Sequence, residues 1–208
     1  MVQIGSVKTI IPTIVLSYIL PTIAMFTAPT LASRQWINGI FWQPFPIYAA
    51  ILQRVLAKTV TDTTEHDRKY KPEADMPYLR AVYGFAAGAA GLTYLYLRLT
   101  SPVSLTHALF TGIRDPHAAV GMMAGISKFL RYDQIAAFSA GAIWTLLSFG
   151  DLKRKGRVTA GWAKIVGAFA GMTLVGGPGA AMAGMWAWRE EALAKRIHPT
   201  APKAAKKE

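Results

Sequence analysis

The sequence predicts an all-α protein, a polytopic bundle of about five transmembrane helices (four to six) with amphipathic helices at the membrane surface. Three observations predict it. Only 16% of the 208 residues are charged, against 52% hydrophobic, where a soluble domain carries about a quarter charged residues. The charges gather in gaps between long uncharged runs. Several of those runs approach the roughly 20 residues that a bilayer-crossing helix needs. A charge at the bilayer centre costs about 2.5–3.5 kcal/mol on insertion scales, so segregation of this kind is what a membrane imposes.

The first span is expected from about Val7 to Phe26, apolar after Lys8, with Pro12 and Pro21 bending it. The start does not read as a cleavable signal peptide, because the apolar run is too long and lacks a small-residue cleavage pattern. The second span is expected at about 37–56 and opens on Phe41-Trp42-Gln43-Pro44-Phe45-Pro46. Two prolines one residue apart suit an extended entry and a first helical turn. Trp36 and Trp42 suit headgroup level, and Gln43 and Gln53 are expected to face protein. Residues 58–76 read as a solvated polar loop.

The third span is expected at about 78–99, with Arg80 at one end and Arg98 at the other. Gly84 and Gly88 form a small-xxx-small pair, a candidate face for a helix partner. Residues 100–131 are broken by Arg114-Asp115-Pro116 and suggest two short interfacial helices, about 105–112 and 118–130. The fourth span is expected at about 132–149, followed by the basic loop of Lys153, Arg154, Lys155 and Arg157. The last apolar region, 162–188, is interrupted by Gly176-Gly177-Pro178-Gly179. It reads either as one kinked helix, which length favours, or as a tight hairpin, which the positive-inside rule favours. The kinked helix is the expectation. Residues 1–198 thus form a membrane domain and 199–208 a basic, disordered tail.

The chain has no cysteine, which excludes disulfides, thiolate catalysis and Cys-ligated metals. His66, His107, His117 and His198 lack ligand spacing, and no HExxH, GxSxG, P-loop or aspartate-rich diphosphate motif occurs. No metal or cofactor is signalled. The net charge of +12 sits at span ends and in the tail, so it reads as topology and headgroup contact rather than nucleic-acid binding.

The candidate chemistry rests on carboxylates at membrane edges. Desolvation favours the neutral form of a carboxyl group, and a neutral carboxylic acid can protonate an epoxide or alkene. Asp133 is the first candidate, Glu190 the second. The competing readings are a helix cap for Asp133 and an interfacial ion pair for Glu190. Asp151 lies about 27 Å further along the same helix by rise, too far to pair with Asp133. Trp144 falls on the face of Asp133, about three turns on. Trp42, Trp144, Trp186 and Tyr132 are candidates to hold a cationic intermediate against their rings. Gln43 and Arg80 complete the candidate substrate-binding set.

Leu20-Pro21-Thr22, Trp42-Gln43-Pro44-Phe45-Pro46, Arg131-Tyr132-Asp133 through Trp144 to Asp151-Leu152-Lys153, Gly177-Pro178-Gly179-Ala180 and Trp186-Ala187-Trp188-Arg189-Glu190-Glu191 together resemble a family of polytopic membrane proteins from fungal secondary-metabolite clusters. That family includes membrane-bound terpene cyclases of ascochlorin and ascofuranone type meroterpenoid pathways. The resemblance runs from about Ile11 to Glu191 and matches the C-terminal part of longer members. It implies an endoplasmic-reticulum membrane and a prenylated, often epoxidised, lipophilic substrate; with the candidate acids it leads to the expectation of an acid-initiated, metal-free terpene cyclase. The alternative is a non-catalytic scaffold or carrier for pathway enzymes or intermediates.

Overall fold

A computed structural model describes residues 3–60, 73–110 and 121–194. Most of the polar loop, the Arg114-Asp115-Pro116 break and the tail from His198 lie outside the described residues. Among those described there are helices and no strand. They are α1 (Ile4–Thr27), α2 (Leu31–Ile37), α3 (Phe45–Thr59), α4 (Met76–Thr100), α5 (Leu105–Phe110), α6 (Met122–Arg154) and α7 (Trp162–Ala194). Three of them, α1, α6 and α7, are long and apolar enough to cross a membrane. The chain divides into two units, residues 1–85 and 86–208.

In the first unit, α1 turns at Pro29 and the chain runs back along it through α2 and α3. Thr30 caps α2: its hydroxyl accepts from Ser33 N–H while the Ser33 hydroxyl accepts from Thr30 N–H, which satisfies two otherwise unpaired donors. Both arms depart from α geometry at a proline. Val15–Ile19 is a π-helical turn just before Pro21, and Asn38–Trp42 is another just before Pro44. The entry to α3 is therefore helical, not extended. Gln43 N–H reaches back to Asn38 C=O at 2.8 Å. This wide turn moves the carbonyls that a regular turn would drive into the proline ring. Pro46 then sits in the first turn of α3, where its missing N–H costs nothing.

A polar clamp joins the arms. Gln53 of α3 donates to Ser6 C=O (2.6 Å) and to the Thr9 hydroxyl (2.9 Å), and its carbonyl accepts from the Thr13 hydroxyl at 2.8 Å. Thr9 and Thr13 are buried. Every donor and acceptor has a partner, as a low-dielectric site demands. Gln43, by contrast, is exposed. Its position at the corner turns it away from the packed faces. Gln53→Leu is expected to destabilise the protein by about 1–2 kcal/mol, since interhelical side-chain bonds in membranes average about 0.6 kcal/mol each. Unfolding in a denaturing-detergent titration measures this. No loss of stability would mean that the clamp is energetically idle.

In the second unit, α6 is one continuous helix that takes in residues 122–130 of the interfacial piece expected near 118–130 together with the apolar stretch at 132–149. Its far half packs on α7 around Phe149, Leu152, Val158, Ile165, Met185 and Ala192. α7 does not run straight. A Cβ placed on Gly184 would stand 2.8 Å from Met172 Sδ, although twelve residues span about 18 Å of straight helix. Arg157 Nη1 lies 3.5 Å from Leu193 C=O, beside the start of α7 and not at the far end of a rod about 46 Å long. The two limbs of α7 fold back at Gly177, whose φ of 81° and ψ of 167° are non-helical. This is the tighter of the two alternatives that Gly176-Gly177-Pro178-Gly179 leaves open. The second limb consequently runs parallel to α6, so Met182 meets Gly141, Trp186 meets Trp144 and Trp188 meets Phe149.

The tip of the hairpin rests on α4. Tyr94 packs on Gly177, Ala90 on Gly179, and Gly91 on Ala180, whose Cβ would stand 3.6 Å from a Cβ placed on Gly91. Arg98 Nη1 donates to Leu174 C=O at 2.9 Å, satisfying a carbonyl near the end of the first limb. Gly91 is the buried glycine of α4, whereas Gly84 and Gly88 are exposed and open. The fold makes a topological prediction. Single cysteines at Lys155 and Ala194, introduced into this cysteine-free chain, are expected to react with an impermeant maleimide from the same side of sealed vesicles. Labelling from opposite sides would require α7 to cross once.

Candidate functional site

The candidate residues fall into two groups. In the first unit, Trp42 is held at the end of its π turn. Its Nε1–H donates to the Thr22 hydroxyl at 3.0 Å, and Tyr18 lies 6.1 Å from it and 4.8 Å from Phe45, centroid to centroid. The Thr22 hydroxyl itself donates to Tyr18 C=O, so a chain of two bonds ties the indole to α1. Arg80 is exposed on α4.

In the second unit, Trp186, Arg189 and Glu190 occupy positions i, i+3 and i+4 of the second limb, one face of a helix. The Trp144 and Trp186 rings are tilted against each other at 4.8 Å. The Arg189 guanidinium carbon stands 4.7 Å over the Trp186 ring, a cation–π contact worth about 0.5–1 kcal/mol at a site this open to solvent. Arg189 Nη1 donates to Glu190 Oε1 at 2.5 Å, and the Glu190 side chain is 19% exposed. A carboxylate, a guanidinium and two indoles are thus gathered at one place on parallel helices.

Asp133 and Tyr132 are exposed, in the first half of α6. Asp133 shares a face with Trp144 but lies about 16 Å from it by helical rise, so the fold does not bring them together. Nor does Asp133 cap a helix, because α6 begins at Met122. Trp144 is 62% exposed, with Trp186 on one side. Asp151 pairs with Arg154 at the exposed end of α6. Arg189 escaped the sequence reading, although its spacing from Trp186 was a usable signal.

Among the described residues, no group of three or more His, Asp or Glu side chains could hold a metal ion. The fold and this cluster define a helical, membrane-type protein that presents an ion-paired carboxylate beside aromatic faces. The family model described as the CtvD domain matches residues 1–194, and the chain belongs to the CtvD-domain family. It is similar to the FAD-dependent monooxygenase BOA8 of Botryotinia fuckeliana (strain B05.10), 36% identical over 191 residues, 90% of this chain and 24% of that protein. It is 31% identical to the FAD-dependent monooxygenase verC1 of Penicillium polonicum over 199 residues, 92% of this chain and 24% of the relative. It is 28% identical to the FAD-dependent monooxygenase anuJ of Penicillium roqueforti (strain FM164) over 191 residues, 91% of this chain and 23% of the relative. The chain thus spans about a quarter of the length of these curated relatives. No solved structure matches it.

The relatives' names imply FAD, and the described residues do not fit it. A dinucleotide's pyrophosphate is held where a strand gives way, through a glycine-rich turn, to a helix N-terminus. The glycine run of this chain joins two helices. The Tyr94 ring fills the space at Gly177, 2.6 Å from where a Cβ would stand.

Proposed function

We propose that this chain is the membrane-embedded module of a secondary-metabolite pathway that opens an epoxidised, lipophilic substrate without metal or redox cofactor. The observation that carries the reading is the Arg189–Glu190 pair set against Trp186 and Trp144. Similarity to monooxygenases supports the choice of substrate. A monooxygenase adds one oxygen atom to its substrate, and at a carbon–carbon double bond the product is an epoxide.

The chemistry follows from the groups present. The Glu190 carboxylate takes the proton of an attacking hydroxyl while that oxygen bonds to an epoxide carbon. The epoxide C–O bond breaks, and the Arg189 guanidinium donates to the leaving oxygen. The proton then passes from Glu190 to that oxygen. Indole faces favour the positive charge that builds on carbon. A hydroxyl of the substrate gives a cyclic ether, and water gives a diol. Acid-initiated terpene cyclisation, with Asp133 as the proton donor, is the related reading, but the geometry favours Glu190. About five spans and an endoplasmic-reticulum location belong to the same proposal, as does a helix partner on Gly84 and Gly88.

The test is product formation. Microsomes containing the full chain are supplied with epoxidised prenyl phenols and polyenes, and ring-opened or cyclised product is measured by mass. Absence of product from the wild type across both substrate classes would favour the second reading, a carrier of lipophilic intermediates. That reading has one observation of its own, an apolar cleft in the first unit.

A further inference from the structure

The connection between α6 and α7 carries five basic side chains, Lys153, Arg154, Lys155, Arg157 and Lys164, against the single carboxylate of Asp151. It is a built turn. α6 closes at Gly156, whose φ of 66° lets the chain reverse. Lys155, Gly156 and Arg157 N–H donate to the carbonyls of Asp151, Lys153 and Leu152 at 2.8–3.0 Å, which satisfies the end of the helix. Leu152 and Val158, on either side, are buried in the core of the unit. Lys153 Nζ donates to Ala160 C=O at 2.6 Å and ties the turn from within. Arg154 neutralises Asp151. Lys155 and Lys164 are exposed, and their ammonium groups have no partner among the described residues. We infer that this turn binds the headgroup of an anionic phospholipid, its phosphate met by Lys155 and Arg157 with Lys164 adding charge from the first turn of α7.

Depth sets the turn among headgroups. The uncharged stretch of α6 runs from Gln134 to Gly150, about 26 Å by helical rise, close to the hydrocarbon thickness of about 30 Å. The turn follows at once. Trp162 is exposed and lays its ring over Gly150, where an added Cβ would stand 3.7 Å from Cη2. An indole at that level suits the membrane–water interface. The charges choose the headgroup. A guanidinium can take two phosphate oxygens at once, and an ammonium acts as a point charge beside it. A zwitterionic headgroup brings its own cation and leaves the surplus of the turn unanswered. The carboxylates of the second limb do not answer it either, because Glu190 is held by Arg189 and Glu191 is half-buried and partnered. Each basic group near an anionic surface favours binding by about fivefold. Arg157 also approaches Leu193 C=O, about 4.5 Å of rise beyond Glu190. A headgroup held at the turn therefore fixes the depth of the Arg189–Glu190 pair.

The test uses the full chain in phosphatidylcholine nanodiscs with a trace of phosphatidylglycerol that bears a diazirine in its headgroup. The expected result is labelling of peptides covering residues 151–164. Excess unlabelled phosphatidylglycerol should reduce it severalfold, and the same amount of extra phosphatidylcholine should not. Millimolar inorganic phosphate should leave it unchanged. Lys155→Gln combined with Lys164→Gln should lower the labelling roughly twentyfold, two charges at about fivefold each. Lys128→Gln combined with Arg131→Gln removes the same charge about 36 Å or more from Lys155 along α6, and should label like the wild type. Competition on the wild-type chain needs no variant and stands if either pair fails to fold. Labelling confined to other segments, or equal competition by phosphatidylcholine, would overturn the inference. Competition by inorganic phosphate as strong as by phosphatidylglycerol would make the turn a site for soluble anions and overturn the lipid assignment. Equal losses in the two double variants would show net charge at work and no site at this turn.

Discussion

Glu190→Gln should remove turnover of an epoxidised substrate almost entirely, with a loss of about 10²–10⁴-fold in rate. The substitution keeps the shape of the side chain and one oxygen for Arg189, so folding should change little. What it removes is the ability to accept a proton. Arg189→Lys should cost less, because an ammonium keeps the charge but gives up the planar fork and the stacking over Trp186. Asp133→Asn should leave turnover near the wild-type value, since that carboxyl lies about 16 Å from Trp144 along α6. Rates in microsomes at matched protein levels decide the matter. Activity lost in Asp133→Asn and kept in Glu190→Gln would move the acid back to the middle of α6 and detach the chemistry from the aromatic pair.

Gly177→Ala should destabilise the second unit more than other single methyl additions in α7. The backbone conformation there is one that essentially only glycine adopts, and forcing a side chain into it costs about 1–3 kcal/mol. The added Cβ would also stand 2.6 Å from the Tyr94 ring. Gly171→Ala in the same helix is the internal control. Gly171 is exposed, helical and open, so alanine there should be neutral or stabilising, by up to about 1 kcal/mol of helix propensity. Thermal unfolding in a mild detergent reads both. Equal melting temperatures for the two variants would mean that the reversal tolerates a Cβ and that Tyr94 yields.

The helical class was legible because a bilayer sorts charge from hydrocarbon, and that sorting survives in the bare sequence. Breaks were legible too, since Pro21, Pro44 and Pro178 cannot continue a regular helix. What a break becomes was not. At Pro44 the chain widens into a π turn, a choice made by a backbone bond from Gln43 to Asn38. At Gly177 the chain reverses so that Met172 lies beside Gly184 across the hairpin, a long-range contact that a local glycine-proline run does not encode. The site divides likewise. A carboxylate at a membrane edge points to Glu190 from sequence, and helical spacing could have added Arg189. Asp133 shares a face with Trp144, but a shared face says nothing of distance along the axis. The cleft of the first unit has no sequence signal, because isoleucine against lipid and isoleucine in a cavity are the same letter.

The hairpin also bears on biogenesis. Its limbs comprise about fifteen and seventeen residues, some 22–25 Å of helix each, against a hydrocarbon thickness of about 30 Å. A short limb released alone into lipid leaves its terminal peptide groups without partners. The second limb additionally carries Arg189 and Glu190, which neutralise each other. The limbs meet each other at Met172 and Gly184 and meet α6 around Phe149 and Met185, so each supplies packing that the other would lack alone.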